Sequence, residues 1–187
     1  MLYIDDSNLI GKGMDRECYT HPKDSTKCIK ITVSGNYKQS KAEISYYRML
    51  EKRGVSLDRL AAFHGVIQTT RGQGLVFSLV LDYNEVVSKP LSHYLSTGTY
   101  KLYEFKDNLE SLKNYLLKER IIIRDLKSTN ILFQKFRKNN GKLVIIDGLG
   151  NNDFIPISSY ISFLTRKKII RKWTRFEHSL LRQYEFE

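Results

Sequence analysis

The spacing of apolar residues changes along this chain of 187 residues, and that change constrains the fold more than any other feature. In the first third, apolar and polar residues alternate, as in Lys27–Val33, and turn residues such as those of His21–Asp24 and Arg71–Gly74 separate the runs. Alternation with a period of two predicts strands, and short turns between them predict antiparallel pairing. Residues 41–52 instead carry apolar side chains at helical spacing. The sequence therefore predicts an antiparallel sheet interrupted by one helix.

The remainder of the chain is predicted to be mainly helical. Apolar residues recur at helical spacing through about 104–119, whereas 135–142 reads as a basic loop and 143–146 as a short apolar strand. The tail is rich in basic and aromatic residues and predicts a pair of helices. Its cations are expected to face solvent while Trp173 and Phe176 pack inward.

Charge and composition narrow the classes of protein. Lys and Arg number 31 against 20 acidic residues, a formal charge of +11 that favours an anionic partner such as nucleic acid, a membrane surface or phosphates. No apolar run approaches the roughly 18 residues of a membrane helix, and no secretory signal is visible. Cys18 and Cys28 are too few for a disulfide framework. These features predict a cytoplasmic protein without a membrane span.

The residues that carry chemistry lie in Arg124–Asn130 and at Asp147. Phosphoryl transfer requires a carboxylate beside the attacking hydroxyl, a cation near the phosphate and a metal ligand a few residues away. Asp125, Lys127 and Asn130 supply these three groups in that order. Asp147 closes the apolar strand, where a second metal-binding carboxylate is expected, and the glycines behind it let the backbone turn sharply.

Together these segments resemble the catalytic loop and the magnesium-binding motif of protein kinases. The resemblance implies that Asp125 orients or deprotonates the substrate hydroxyl and that Lys127 neutralises the transferring phosphoryl group. It also implies that Asn130 and Asp147 hold Mg²⁺. The alternative is a polar loop between helix and strand in which Asp125 is an ordinary turn residue.

Weaker motifs precede this loop in the order expected of a kinase. Gly11-Lys-Gly13 resembles the start of a phosphate-covering glycine loop, and the strand residue Lys30 resembles the lysine that pairs with nucleotide phosphates. Glu43, on the following helix, is the candidate ion-pair partner of Lys30. Leu81–Asn84 resembles the hinge that bonds adenine through backbone groups. Taken singly, each motif has an ordinary alternative. The paired glycines fit a hairpin turn, Lys30 a solvated strand lysine and Glu43 a surface carboxylate. Leu81–Asn84 fits the exit from a buried strand. The candidate nucleotide-binding residues are Gly11, Gly13, Lys30, Glu43, Asp82 and Tyr83, with Lys30 also grouped with Asp125 and Lys127 as catalytic.

Further strings are more specific. They are Arg16-x-Cys18-Tyr19-x-His21-Pro22, Cys28-Ile-Lys-Ile31, Leu126-Lys-x-x-Asn-Ile-Leu132 and the tail from Ile155-Pro156 through Trp173. With the paired glycines they resemble the YrbL family, kinase-like proteins placed in the PhoP regulatory network of enteric bacteria. The resemblance covers nearly the whole chain and implies a cytoplasmic bacterial protein of kinase fold.

Several departures separate the chain from a common protein kinase. The third glycine of the loop is replaced, with Arg16 near its place. Ile123 stands where a histidine usually precedes Arg-Asp, and Gly148 stands where Phe usually follows the metal-binding aspartate. Only 40 residues follow Asp147, too few for a full activation segment and the large helical subdomain that binds peptides.

The predicted fold is α+β: a minimal bilobal protein-kinase-like domain with a β-rich N-lobe over 1–83 and a reduced helical C-lobe over 84–187. The predicted function is that of an ATP- and Mg²⁺-dependent phosphotransferase, acting on a Ser, Thr or Tyr hydroxyl of a protein or of itself. The alternative is a pseudokinase, a nucleotide-binding regulatory or partner-binding module. A small-molecule acceptor and nucleic-acid binding by the basic tail stay open, and the protein partner is unknown.

Overall fold

The computed structural model describes residues 1–150 and 162–184. Over these ranges the fold is α+β, as predicted, with a five-stranded sheet, a three-stranded sheet and several helices. The chain forms two compact units. Unit 1 comprises Met1–Leu57 and Ala61–Leu81, and unit 2 comprises Asp58–Leu60 and the chain from Asp82 onward. A kinase-like arrangement of two lobes stays a prediction.

Unit 1 is the predicted antiparallel sheet interrupted by one helix. The strands lie in the order β1-β2-β3-β5-β4, and every neighbouring pair is antiparallel. A helix, α1, fills the connection between β3 and β4, which lets these two strands flank β5. The elements are β1 (Leu9–Lys12), β2 (Arg16–His21), β3 (Asp24–Thr32), α1 (Lys38–Lys52), β4 (Phe63–Thr69) and β5 (Gly72–Ser78).

The register of this sheet decides which face Lys30 occupies. Lys30 lies opposite Cys18 on β2 and Leu75 on β5, so all three side chains share one face. On that same face Tyr47 of α1 packs against Phe77, with ring centroids 5.6 Å apart. The other face buries an apolar cluster of Ile4, Tyr19, Ile29, Ile31 and Val76.

Unit 2 combines helices with a small sheet of order β6-β7-β8. The basic stretch predicted as a loop is instead a β-hairpin, in which Lys135 lies opposite Gly141. A Cβ atom at Gly141 would overlap the backbone of Gln134, so glycine allows the two strands to approach. The elements are β6 (Lys89–Pro90), α2 (Leu91–Ser96), α3 (Lys106–Glu119), β7 (Ile131–Arg137), β8 (Asn140–Ile145) and α4 (Ser162–Tyr184).

Three residues from the α1–β4 connection belong to unit 2, which the sequence did not predict. The carbonyl of Arg59 accepts a hydrogen bond from the Ile145 amide at 3.0 Å. The Arg59 guanidinium donates to Ser111 on α3 at 2.7 Å. These bonds join residues far apart in the chain, and no local pattern signals them.

The tail was predicted as a pair of helices, but Ser162–Tyr184 is one continuous helix. Neither Gly nor Pro occurs between these residues, so nothing interrupts the helical hydrogen bonds. The prediction that the aromatics pack inward is confirmed: Trp173 and Phe176 are buried, with ring centroids 5.5 Å apart. The motif at Ile155-Pro156 lies outside the described residues. Neither α4 nor any helix within 1–150 is long and apolar enough to cross a membrane.

Candidate functional site

The 124–130 loop lies between α3 and β7, and apolar residues anchor its start. Arg120 ends α3 in the left-handed conformation (φ 53°), which turns the chain out of the helix. Ile121–Ile123 follow and are at most 3% exposed. The polar loop residues therefore begin directly after a buried tripeptide, which fixes where they emerge.

Backbone hydrogen bonds tie the loop to the glycine turn that follows β8. The amides of Arg124 and Asp125 both donate to the Gly148 carbonyl, at 2.6 and 3.1 Å. Ile123 and Leu149 form an antiparallel bridge beside them. The predicted catalytic aspartate thus sits on backbone that is paired with the segment after Asp147.

Asp125, Lys127 and Asn130 lie together, as a short loop requires. The Oδ2 atom of Asp125 lies 2.8 Å from Lys127 Nζ and 3.3 Å from Asn130 Nδ2. The same Asn130 nitrogen donates to the Asp125 carbonyl at 3.0 Å. The Asp125 side chain stays 50% exposed, so the carboxylate is oriented and still accessible to an acceptor group.

Asp147 lies beside Asn130 because the chain returns along the β7–β8 hairpin. The amide of Ile146 donates to the Asn130 carbonyl at 2.9 Å. The Asp147 carboxylate accepts a hydrogen bond from the Gly148 amide at 2.6 Å. The two predicted metal ligands are therefore on neighbouring backbone segments.

The structure explains the glycine at 148, where a phenylalanine was expected from the resemblance. Gly148 has φ +79°, a conformation that side chains disfavour. A Cβ atom there would overlap the Asp125 carbonyl oxygen and lie 3.1 Å from its carbonyl carbon. Only glycine allows this turn to approach the loop so closely.

The oxygen donors at this site suit magnesium better than a softer metal. Within residues 1–150 and 162–184, no group of three or more His, Cys, Asp and Glu side chains is arranged to hold a metal ion. Mg²⁺, however, commonly uses one or two carboxylates and completes its shell with water and substrate phosphates. Because the Asn130 Nδ2 atom faces Asp125, its Oδ1 atom is the one that would coordinate a cation beside Asp147.

Lys172 is a site residue that the sequence did not single out. Its Nζ atom, on α4, donates to the carbonyl of Arg124 at 2.7 Å. Burial and repulsion from neighbouring cations lower the pKa of this ammonium. Lys172 was interpreted only as part of a basic helix face, and no spacing rule links it to a loop 48 residues earlier.

The proposed hinge residues Asp82 and Tyr83 have engaged amides. The Asp82 amide donates to the Val86 carbonyl at 2.9 Å, and the Tyr83 amide donates to the Lys135 carbonyl at 2.8 Å. An adenine contact from these two residues would therefore use their carbonyl oxygens in this conformation. Their role in nucleotide binding stays a prediction.

The nucleotide-site candidates of unit 1 include two buried charged residues. Lys30 is 7% exposed, and its Nζ atom lies 4.6 Å from the centroid of the Phe77 ring. Glu43 is 3% exposed and forms an ion pair with Arg16, the residue near the place of the third loop glycine. The expected Lys30–Glu43 pairing stays a prediction, as does the role of Gly11 and Gly13 on and beside the exposed strand β1.

The fold and the site define an α+β protein of two units that holds an Asp-Lys-Asn loop against an Asp-Gly turn. The profile described as "PhoP regulatory network protein YrbL" matches residues 2–181, so the chain belongs to the YrbL family. The family assignment expected from the sequence strings is confirmed.

Two curated relatives have the same length of match. One is "Uncharacterized protein YrbL" of Escherichia coli (strain K12), and the other carries the same name in Shigella flexneri. Each is 29% identical over 181 residues, covering 94% of this chain and 86% of the relative.

Proposed function

We propose that this protein is an ATP- and Mg²⁺-dependent phosphotransferase of kinase-like fold, acting in the cytoplasm on a protein hydroxyl or on itself. The observation that carries the proposal is the Asp125 carboxylate, which Lys127 and Asn130 orient while half of the side chain stays exposed. A carboxylate held in this way can orient an acceptor hydroxyl and take its proton, an effect worth about 10²–10⁴-fold in rate.

The neighbouring residues complete the chemistry of phosphoryl transfer. Lys127 places a cation 2.8 Å from the Asp125 carboxylate, where it would meet the negative charge of the transferred group. Asn130 and Asp147 would hold Mg²⁺, which when bound neutralises charge on the nucleotide phosphates. Lys30 stays the residue that the kinase resemblance predicts to pair with nucleotide phosphates.

The decisive experiment compares two aspartates that form similar ion pairs. Wild type, Asp125→Asn and Asp58→Asn are incubated with labelled ATP, Mg²⁺ and cell extract, and incorporated phosphate is located by mass spectrometry. Asp58 is a matched control because it is 60% exposed and pairs with Lys142 within unit 2. We expect at least a 100-fold loss in Asp125→Asn and none in Asp58→Asn. Equal incorporation by all three would refute the proposal.

A pseudokinase is the second candidate, and two observations favour it. Ile123 and Gly148 stand where a kinase usually carries a histidine and a phenylalanine, and the Asp82 and Tyr83 amides are already bonded within the protein. The first suits a module that does not transfer phosphate, and the second suits one that acts through a partner. Thermal unfolding with ATP and Mg²⁺ separates the two functions, because a ligand at 100 times its Kd adds about 2.7 kcal/mol. Stabilisation without incorporation would favour the pseudokinase.

A further inference from the structure

The backbone of Arg124 and Asp125 has a partner for each of its four polar groups. Both amides donate to Gly148, and the Asp125 carbonyl accepts from Asn130. The Arg124 carbonyl accepts from the Lys172 ammonium at 2.7 Å. Two of these bonds go to the glycine turn after β8, one comes from Asn130 within the loop, and the fourth comes from α4. The Arg124–Asp125 dipeptide, which carries the proposed catalytic carboxylate, is therefore also bonded to α4, through the Arg124 carbonyl.

We propose that Lys172 is a positioning residue for the 124–130 loop, and that its ammonium holds the Arg124 carbonyl so that Asp125 keeps its orientation. The consequence for catalysis rests on the proposed function, whereas the restraint on the loop does not. Ile123 is apolar and 3% exposed, so it offers no side-chain hydrogen bond at the position where a histidine was expected. Lys172 supplies a hydrogen bond to the adjacent residue from a different part of the chain.

The helix that carries Lys172 is firmly anchored. Trp173, next in sequence, is 1% exposed, and Phe176 packs against it. Lys113 of α3 lies 3.6 Å from the Glu177 carboxylate and 6.0 Å from the centroid of the Trp173 ring. This packing fixes the backbone at Lys172, so the hydrogen bond to Arg124 has to order only the lysine side chain.

The charges around Lys172 distinguish it from an ordinary surface lysine. It is half-buried, and burial lowers the pKa of its ammonium. Repulsion from Lys168, Arg171 and Arg175 on the same helix lowers the pKa further, while the Asp125 carboxylate of the loop raises it. A cation kept among three like charges needs a compensating contact, which the Arg124 carbonyl provides at 2.7 Å.

The restraint is tested first without reference to activity. Hydrogen–deuterium exchange over the loop is compared in wild type, Lys172→Met and Lys167→Met, the last being an exposed cation of the same helix. Since a hydrogen bond from a charged donor is strong, we expect the Arg124 and Asp125 amides to exchange about 10- to 100-fold faster in Lys172→Met. Lys167→Met should match wild type. Unchanged exchange in Lys172→Met would overturn the inference whether or not the protein transfers phosphate.

The catalytic consequence is tested by phosphotransfer kinetics across pH. Lys172→Met should lower kcat at least tenfold with little change in the KM for ATP, and Lys172→Arg should restore most of the rate. The ammonium loses its charge as pH rises through its lowered pKa, so wild-type activity should fall at alkaline pH. Arg171→Gln removes one repulsive charge and should move this fall to higher pH, whereas Lys172→Arg should abolish it because arginine keeps its charge at alkaline pH.

The two tests fail in distinguishable ways. Faster exchange without phosphotransfer by any variant would refute the proposed function and leave the restraint supported. Phosphotransfer with an alkaline limb that neither Lys172→Arg nor Arg171→Gln moves would overturn the positioning role. If Lys172→Met does not fold, Lys172→Arg and Arg171→Gln still test the positioning role, because both variants keep a cation at position 172.

Discussion

Replacing Gly148 with alanine should damage the site through a backbone contact, and Gly98 offers a matched control. Both glycines belong to unit 2 and have left-handed backbone, with φ +79° at Gly148 and +65° at Gly98. A Cβ atom at Gly98 meets nothing within 4 Å, whereas at Gly148 it would overlap the Asp125 carbonyl. The two substitutions therefore share the conformational cost and differ in the steric one.

The magnitude follows from these two contributions. The left-handed conformation costs a residue with a Cβ atom about 1–2 kcal/mol, which applies to Gly98→Ala and Gly148→Ala alike. Forcing an extra carbon into packed surroundings costs about 1–3 kcal/mol more, and this applies only to Gly148→Ala. We therefore expect the free energy of unfolding of Gly148→Ala to lie about 1–3 kcal/mol below that of Gly98→Ala.

Trp173 provides the assay, because it is the single tryptophan of the chain and lies in α4 of unit 2. Urea denaturation followed by its fluorescence reports the unfolding of the unit that contains both glycines. Since relief of the overlap would displace the Asp125 backbone, phosphotransfer by Gly148→Ala should also fall relative to Gly98→Ala. Equal stability and equal transfer in the two variants would refute the reasoning.

Two further predictions concern the packing of each unit. Arg16→Met should lower the free energy of unfolding of unit 1 by about 3–5 kcal/mol, because it leaves Glu43 buried and 3% exposed without its ion-pair partner. The double variant Arg16→Met/Glu43→Met should recover most of this loss in urea denaturation; no recovery would show that the charge itself was not the cause. Trp173→Ala should cost about 3–5 kcal/mol by calorimetry, since the side chain is 1% exposed, and an unchanged Tm would contradict the packing of α4.

The closeness of the polar side chains in the 124–130 loop is predictable from sequence because their contacts are local. Asp125, Lys127 and Asn130 lie within six consecutive residues, so a short loop brings their side chains together without help from the rest of the fold. The β7–β8 hairpin returns the chain to the loop and so places Asp147 beside Asn130. The alternation in β3 likewise places Lys30 on one face of its sheet whatever lies above it.

The contacts of Glu43, Gly148 and Arg59 were not predictable in the same way. Glu43 is a helix carboxylate with several cations in the sequence before it, and Arg16 reaches it only because β2 pairs with β3 and α1 packs on that sheet. From the sequence, Gly148 is only a position where the kinase resemblance expects phenylalanine. The need for glycine follows from the overlap that a Cβ atom there would have with the Asp125 carbonyl. Arg59 lies in a connection between elements, and its bonds to unit 2 follow from close packing over more than 50 residues of chain.

The sequence by itself determined the α+β class, the membership of the YrbL family and the identity of the groups in the 124–130 loop. These depend on periodicity and on residues close together in the chain, which act before any long-range packing forms. The tertiary structure alone decided that Ser162–Tyr184 is one helix and that Lys172 holds the Arg124 carbonyl. A bond between residues 48 positions apart depends on the packing that holds the helix, in which Trp173 and Phe176 are buried, and no local pattern encodes that geometry.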